Sequence, residues 1–251
     1  MSVVSIDPDS VARVDFVLGA RHDALDQPWR TLRRAQFVHV VDGVLSVHTE
    51  GGLWVAPPHH GVWMLPGVLH RMSSATPVVL RVLYAEEGAA CVPQRCCVVA
   101  VDRLMDELLG AASAFDANVP PSGEETRLMA VIADRLPLLA QVPLSLIFPG
   151  DPRARHIADA LTADPGRTGV LDDFAEAASI TARTAARLFK KETALTFGQW
   201  RQQLRLLTAL VRLAAGASVT QVALDVGYID VSSFIAVFKD ALGETPARFF
   251  R

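Results

Sequence analysis

A chain of 251 residues exceeds the usual size of one compact domain, so we expect two domains. Hydrophobic residues make up 51% of the chain, which excludes a disordered protein. The overall net charge of −3 argues against a nucleic-acid partner, but the charge is unevenly distributed. From Ile180 to the C-terminus there are ten basic and five acidic side chains, so this part alone has the charge of a phosphate binder.

The N-terminus lacks the charged and then apolar pattern of a signal peptide, and no apolar run approaches the roughly 20 residues needed to cross a bilayer. The sequence therefore predicts a soluble, cytoplasmic protein without a membrane partner. Cys91, Cys96 and Cys97 lie too close together to staple a secreted scaffold, and their spacing lacks the second half of a zinc site. We expect them to be reduced thiols in a core, with redox or metal sensing as the alternative.

Between Phe37 and Glu86 the pattern predicts antiparallel strands in a sandwich or barrel. Short segments rich in Val, Trp, His and Leu are separated there by turn residues, and they read FVHVV, VLSVHT, LWVA, VWML and VVLRVLYA. Asp42-Gly43 predicts a hairpin turn, because glycine accepts the positive φ that a tight turn needs.

After about Val101 the periodicity becomes helical. The segments DRLMDELLGAASAF and EETRLMAVIADRLPLLAQ carry apolar residues at helical spacing and are separated by Pro120-Pro121-Ser122-Gly123. We interpret the following stretch, VPLSLIFPGDPRARH, as an interdomain connection. The two helices form either a dimerisation surface or part of the packing of one domain.

The C-terminal part contains an internal repeat. FAEAASITARTAARLFKK, from Phe174, and VALDVGYIDVSSFIAVFKD, from Val222, share a helix with a fixed Ala, a small residue, a polar cap and a second helix ending in Phe-Lys. Ser179 aligns with Gly227 at an offset of 48 and Phe189 with Phe238 at an offset of 49, so the second turn is one residue longer.

Each copy has the parts of a helix-turn-helix unit. Ser179 or Gly227 provides the tight turn, and Thr181 or Asp230 provides the N-cap of the second helix. An ordinary helical hairpin would look similar once, but two in tandem favour helix-turn-helix units. Between the copies, FGQWRQQLRLLTALVRLAAG predicts one long helix that would separate two units reading successive major grooves, about 34 Å apart.

From about Asp151 to Arg251 the sequence resembles the AraC/XylS family of transcriptional regulators, which have two helix-turn-helix units joined by a long helix. The segment from Val222 carries the resemblance most strongly, with Gly-aromatic before the second recognition helix and Gly-x-x-Pro after it. The N-terminal part resembles the cupin-type sensor of one branch of the family, through the Gly-x-Trp-x-x-Pro-Gly-x-x-His run from Gly61 to His70.

The resemblance implies which residues contact DNA. Base-reading positions would be Arg183, Thr184, Ala186 and Arg187 in the first recognition helix and Val231, Ser232, Ile235 and Ala236 in the second. Arginine can grip guanine with two hydrogen bonds, whereas the second set suits thymine methyl groups and DNA shape. Phosphate contacts would come from Lys190, Lys191, Lys239 and Arg248, each of which could instead be an ordinary surface charge.

A catalytic cupin would place a His-x-His pair and a carboxylate on early strands and a further His on a later one. His70 matches the late position, but Arg30 and Leu32 stand where the early pair would lie, and Gln36 stands near the carboxylate position. We therefore expect no metal, no cofactor and no catalytic residue. Arg30, Gln36, Trp63 and His70 are the candidates for an effector pocket, with core packing as the alternative for Trp63.

The sequence thus predicts an α+β protein. Residues 1–99 would form a cupin-like antiparallel β-barrel, residues 100–150 a helical dimerisation or linker segment, and residues 151–251 an all-α DNA-binding domain. The leading hypothesis is a homodimeric regulator that binds a DNA operator under control of a small-molecule effector and, if an activator, contacts RNA polymerase. A metal-dependent cupin enzyme and an effector-independent regulator whose barrel only dimerises are the alternatives.

Overall fold

The computed structural model of the chain describes residues 7–86, 93 and 95–250. These residues form two compact units. The first unit comprises Met1–Thr49 and Trp54–Leu144, and the second comprises Glu50–Leu53 and Ser145–Arg251. No helix in the described part of the chain is both long enough and apolar enough to span a bilayer.

Antiparallel strands in two sheets make up most of the first unit. One sheet has the order β1-β8-β3-β6-β9-β10, and in the other β5, β4, β7 and β2 follow one another. The strands are β1 (Asp15–His22), β2 (Leu25–Asp26), β3 (Ala35–Asp42), β4 (Leu45–Thr49), β5 (Gly52–Ala56), β6 (His60–Met64), β7 (His70–Ser74), β8 (Val78–Ala85), β9 (Cys97–Ala100) and β10 (Gln141–Val142). All five predicted strand segments are confirmed.

The turn at Asp42-Gly43 is not the predicted hairpin. Gly43 has the expected positive φ of 83°, and a Cβ there would lie 2.3 Å from the carbonyl oxygen of Pro77. However, β3 pairs with β8 and β6, whereas β4 pairs with β7. Because both edges of β3 are already occupied, this turn carries the chain from one sheet to the other.

Two helices cover the outer face of the six-stranded sheet. They are α1 (Arg103–Ala112) and α2 (Gly123–Arg135), which confirm the two predicted helices, and a short 3-10 helix at Leu136–Leu138 follows. Their apolar faces form one core with the sheet, in which Phe37, Met105 and Ile132 are fully buried. Because strand side chains alternate, the neighbours of Phe37 on β3 point to the opposite face, toward the interior between the sheets.

The second unit is almost entirely helical. Its helices are α3 (Pro152–Ala163), α4 (Leu171–Ala177), α5 (Ala182–Thr193), α6 (Phe197–Ala214), α7 (Val219–Asp225), α8 (Val231–Leu242) and α9 (Pro246–Phe249), and it also holds the strand β11 (Ser145–Ile147). Helices in the C-terminal part and sheets in the N-terminal part confirm the α+β fold class. The segment interpreted as a connection contains β11 and the first turn of α3, which is capped by the Asp151 side chain.

The long helix α6 organises the second unit, as the sequence predicts. Trp200 is fully buried, stacks edge-on against Phe189 of α5 at 5.3 Å between ring centres, and donates its indole N–H to the carbonyl oxygen of Ile147 at 2.8 Å. Phe197 contacts Phe189 at 5.4 Å and Phe174 of α4 at 5.8 Å. These aromatic contacts fix α4 and α5 against the first half of α6.

Candidate DNA-binding surface and effector site

The first helix-turn-helix unit consists of α4 and α5. Ser179 adopts a left-handed φ of 56° in the turn, and the amide of Ile180 donates to the carbonyl oxygen of Ala175 at 3.0 Å. The Thr181 hydroxyl caps α5 by accepting from the amide of Thr184 at 3.2 Å. The predicted turn and cap are both confirmed.

The second helix-turn-helix unit, α7 and α8, repeats this geometry. Gly227 has a φ of 89°, and the amide of Tyr228 donates to the carbonyl oxygen of Ala223 at 2.9 Å, as Ile180 does to Ala175. The Asp230 carboxylate caps α8 by accepting from the amide of Ser233 at 2.8 Å. Since Tyr228 matches Ile180 and Asp230 matches Thr181, Ile229 is the additional residue of the second turn.

The first recognition helix, α5, presents a polar face to solvent. Arg183, Ala186 and Arg187 are exposed, while Leu188 and Phe189 on the other face are buried. Neither arginine makes a hydrogen bond or ion pair with the rest of the described chain. Both guanidinium groups are therefore free to donate hydrogen bonds to an acceptor outside the chain.

Thr184 differs from the other candidate base-reading residues of α5. Its side chain is half-buried, and its hydroxyl lies 3.0 Å from the Thr181 hydroxyl. It therefore belongs to the capping network of the helix.

The second recognition helix, α8, presents small and apolar side chains. Ser232 and Ala236 are exposed, and Val231 and Ile235 are half-buried. The buried face consists of Phe234 and Phe238, which contact each other at 5.8 Å between ring centres. None of the four candidate residues on α8 carries the amide or guanidinium group that binds a purine with two hydrogen bonds.

Of the candidate phosphate contacts, Lys191, Lys239 and Arg248 are exposed and have no ion-pair partner in the described chain. The ammonium group of Lys190 instead donates to the carbonyl oxygen of Ala194 at 2.9 Å, which satisfies the C-terminal end of α5.

Three further basic residues of the C-terminal part have structural roles. Arg201 donates to the carbonyl oxygen of Gly169 at 2.8 Å, and Arg205 donates to that of Pro165 at 3.2 Å and lies over the Tyr228 ring. Arg212 pairs with Asp225 at 2.8 Å. The free positive charge is therefore smaller than the count of basic residues suggests, and it lies on or beside α5, α8 and α9.

Inside the first unit, three of the four candidate pocket residues form a polar cluster together with Tyr84. Gln36 on β3 and His70 on β7 are each 1% exposed, and their side-chain nitrogens Nε2 lie 3.3 Å apart. The main chains of Arg30 and His70 exchange two hydrogen bonds of 2.9 Å. Tyr84 lies opposite Gln36 on β8; burial raises its pKa, and the nearby Arg30 side chain opposes that shift. Sequence reasoning missed Tyr84, which lies at the end of an apolar strand.

The hydrogen bonds of His70 determine which atoms of the cluster are free. Its Nδ1 lies 2.8 Å from the carbonyl oxygen of Val68, so Nδ1 carries a proton. Burial lowers the pKa of His70, the hydrogen bond with Val68 opposes this, and the charge of Arg30 lowers the pKa further. The net shift favours the neutral ring, in which Nε2 accepts from the Gln36 amide. Gln36 Oε1 and Arg30 Nε are then buried without a hydrogen-bond partner in the described chain.

Trp63 does not lie with the other three candidates. Its side chain belongs to the core beneath α1 and α2, where it contacts Phe37 at 6.5 Å between ring centres. Gln36 and Phe37 are neighbours on β3 and point to opposite faces, so Trp63 is separated from the polar cluster by the sheet itself.

The cysteines follow the predicted pattern where the structure describes them. Cys97 lies in the core beneath α1 and α2 and Cys96 is half-buried, and burial raises the pKa of both thiols. Cys91 lies outside the described residues. No group of three or more His, Cys, Asp or Glu in the described part of the chain is arranged to hold a metal ion.

Two family models match parts of this chain. Residues 174–251 match the model of a helix-turn-helix domain, and residues 14–90 match that of an AraC-like ligand binding domain. HTH-type transcriptional regulator NimR of Escherichia coli K12 is 33% identical over 238 residues, which cover 95% of this chain and 87% of NimR.

Two further similarities are shorter or more distant. HTH-type transcriptional regulator RipA of Corynebacterium glutamicum is 36% identical over 102 residues, 41% of this chain and 31% of RipA. A solved structure of ToxT from Vibrio cholerae covers 95% of this chain and 98% of its own at 11% identity, with a TM-score of 0.41. Taken with the two matched domain models and the full-length similarity to NimR, the capped helix-turn-helix pair shows that this chain belongs to the AraC/XylS family of DNA-binding transcriptional regulators and carries an N-terminal ligand-binding domain.

Proposed function

We propose that this protein binds one specific DNA operator and that a small neutral molecule, bound at Arg30, Gln36, His70 and Tyr84, controls that binding. The observation that carries DNA recognition is the exposed face of α5, where Arg183 and Arg187 have no partner in the described chain. Lys191, Lys239 and Arg248 would contact phosphates and supply affinity without sequence information. Because its target is DNA, the protein acts in the cytoplasm.

Selection of bound fragments from random and genomic DNA tests this function. The purified full-length protein should enrich one sequence with two half-sites about 10 base pairs apart, matching recognition helices in successive major grooves. Failure to enrich any sequence above random DNA would contradict the proposal.

The class of effector follows from the two unpartnered atoms of the polar cluster. Gln36 Oε1 needs a donor and Arg30 Nε needs an acceptor, and leaving either buried and unpaired is costly. A ligand with a donor and an acceptor side by side, such as an amide or a lactam, satisfies both. A carboxylate would pair with Arg30 but would place a negative charge against Gln36 Oε1.

Thermal unfolding with a panel of small amides, lactams and matching carboxylates tests this assignment. Amides or lactams should raise the Tm of the wild type and should not raise that of Gln36→Leu. Trp63→Phe is the matched control and should keep the response, because Trp63 lies across the sheet. A larger shift with carboxylates, or an unchanged shift in Gln36→Leu, would contradict the assignment.

We also propose that the ligand-binding domain is not catalytic, in contrast to a metal-dependent cupin enzyme. Both ring nitrogens of His70 are occupied by Val68 and Gln36, so neither is free to ligate a metal. Metal analysis of the purified protein decides this point, since stoichiometric, tightly bound iron or zinc would revive the enzyme hypothesis. Indifference of operator binding to every metabolite tested would favour the effector-independent regulator instead.

A homodimer is the proposed assembly, formed through the helical segment that follows the strands. Leu104 on α1, Val131 on α2 and Leu138 after α2 are 50%, 44% and 75% exposed, so this segment offers apolar side chains to a second copy of the chain. Sedimentation should show a dimer for the wild type and a monomer for Leu104→Glu/Val131→Glu.

As an activator, the bound dimer would contact RNA polymerase, and transcription from the selected operator in vitro tests that partner.

A further inference from the structure

Ile229 is exposed to an unusual degree. It is 98% exposed, whereas every other large apolar side chain in the described residues is at most 75% exposed. It is also the additional residue of the second turn, directly before the cap of α8. A lone exposed apolar residue needs no explanation, but one inserted between the two helices of a DNA-binding unit does.

The neighbours of Ile229 hold it in place. Tyr228 packs edge-on against Phe234 at 5.4 Å and lies beneath the Arg205 guanidinium. On the other side, both carboxylate oxygens of Asp230 accept from Ser233, from its amide at 2.8 Å and its hydroxyl at 2.7 Å. Since Tyr228 points inward and Asp230 is committed to the cap, the turn presents Ile229 outward on a fixed backbone.

Ile229 lies two residues before the first residue of α8, at the end of the helix that would enter the major groove. Side chains at the N-terminal end of a recognition helix reach base edges in the major groove. An isoleucine cannot donate a hydrogen bond and is therefore unsuited to phosphate, whereas apolar side chains contact the thymine 5-methyl group. The adjoining surface of α8, with Ser232, Ile235 and Ala236, also lacks a long polar side chain that could hydrogen-bond to base edges.

We propose that Ile229 reads a thymine methyl group in the half-site bound by the second helix-turn-helix unit. The inference rests on the proposed function, because it requires a specific operator. It assigns the second unit its own mode of recognition, through methyl groups, beside the hydrogen bonding of the first unit.

Replacing thymine by deoxyuridine tests the inference, because deoxyuridine lacks only the methyl group. The probes are versions of the selected operator duplex in which the thymines of one half-site are replaced singly. The proteins are the wild type, Ile229→Ala and Val170→Ala. Val170 is a matched control, since it is 63% exposed and precedes α4 rather than a recognition helix. The wild type should lose about fourfold in affinity per contacted methyl group in one half-site.

Ile229→Ala should bind the thymine operator about fourfold to tenfold more weakly than wild type and should no longer distinguish thymine from uracil at one position. Val170→Ala should behave as wild type on every duplex. Equal affinity of the wild type for the thymine and deoxyuridine duplexes would overturn the inference, and so would an Ile229→Ala variant that keeps the full thymine preference. Neither result would contradict specific binding to the operator. Absence of any selected operator would overturn the proposed function itself.

Discussion

Hydrogen-bonding partners separate basic side chains that look equivalent in the sequence. Arg201, Arg205 and Arg212 are engaged within the second unit, whereas Arg183 and Arg187 are exposed and unpartnered in the described chain. An engaged arginine must break its contacts before it can bind DNA, so we expect the free pair on α5 to provide most of the hydrogen-bonding capacity for base recognition.

Replacing Arg187 by Ala should weaken operator binding roughly tenfold or more and binding to random DNA much less, because a bidentate contact to guanine is lost. Lys191→Ala serves as the comparison. It should weaken both kinds of binding by a similar factor and lower the slope of log affinity against log salt by about one. Competition titrations measure both quantities, and equal losses on the two DNAs for Arg187→Ala would contradict base reading.

The candidate site was predictable from the sequence only where a residue's neighbours in the chain determine its environment. Repeat alignment predicts the solvent-facing side of α5 and α8, because capped helices fix which side chains face outward, although Thr184, Val231 and Ile235 are half-buried. Trp63 shows the limit of this reasoning, since both faces of its strand are buried and only the packing of α1 and α2 decides which face meets the helices. Tyr84 shows the same limit, because its polar environment comes from Arg30 and Gln36 on other segments.

At the scale of elements, the two turns solve one geometric problem with different residues. Ser179 and Gly227 both adopt a positive φ, which costs a residue with a Cβ about 1 to 3 kcal/mol. At Gly227 a Cβ would also lie 2.5 Å from the Arg205 guanidinium and 3.0 Å from the carbonyl oxygen of Gly166. The second turn therefore requires glycine, whereas the first tolerates serine.

Exchanging the two residues should change stability in opposite directions. Gly227→Ser should destabilise the second unit by about 2 kcal/mol through strain and crowding, whereas Ser179→Gly should stabilise it by up to about 1 kcal/mol. Urea unfolding of each variant against wild type measures the two differences. A loss of stability in Ser179→Gly would show that the serine makes a compensating contact.

Elements with a strong local signal were predicted, and those without one were not. The long helix α6 was predicted because its apolar periodicity is uninterrupted, but β7, with the sequence HRMSS, has too few apolar residues to be recognised. The α3 helix carried a readable signal in Asp151-Pro152, an N-cap followed by proline at the first helical position, which the prolines nearby obscured. Strand pairing, as at Asp42-Gly43, depends on distant segments.

At the scale of the whole molecule, burial of histidine makes stability depend on pH. His39 is fully buried, neither ring nitrogen has a hydrogen-bond partner in the described chain, and Asp106, Arg81, His59 and His60 lie around it. Burial lowers the pKa of His39 from 6.5 to about 4, although Asp106 acts in the opposite direction. Between these values the unfolded chain binds the additional proton, so stability should fall as pH drops through that window.

The contribution of His39 should amount to about 2 kcal/mol between pH 7 and pH 5. His39→Leu removes the titrating group and two unsatisfied nitrogens, so it should be at least as stable as wild type at pH 7 and should lose less stability on acidification. Urea unfolding at pH 7 and pH 5 measures the difference. Parallel pH profiles for the two proteins would show that His39 does not contribute.

The indole of Trp200 can serve as a fluorescent reporter of the second unit. The four tryptophans of the chain are Trp29, Trp54 and Trp63 in the first unit and Trp200 in the second. A chain with Phe at positions 29, 54 and 63 would therefore emit from a single fluorophore, hydrogen-bonded to Ile147 where the chain enters the second unit. A stopped-flow trace from that chain would report changes around Trp200 after effector or operator is added, separately from events in the sheets.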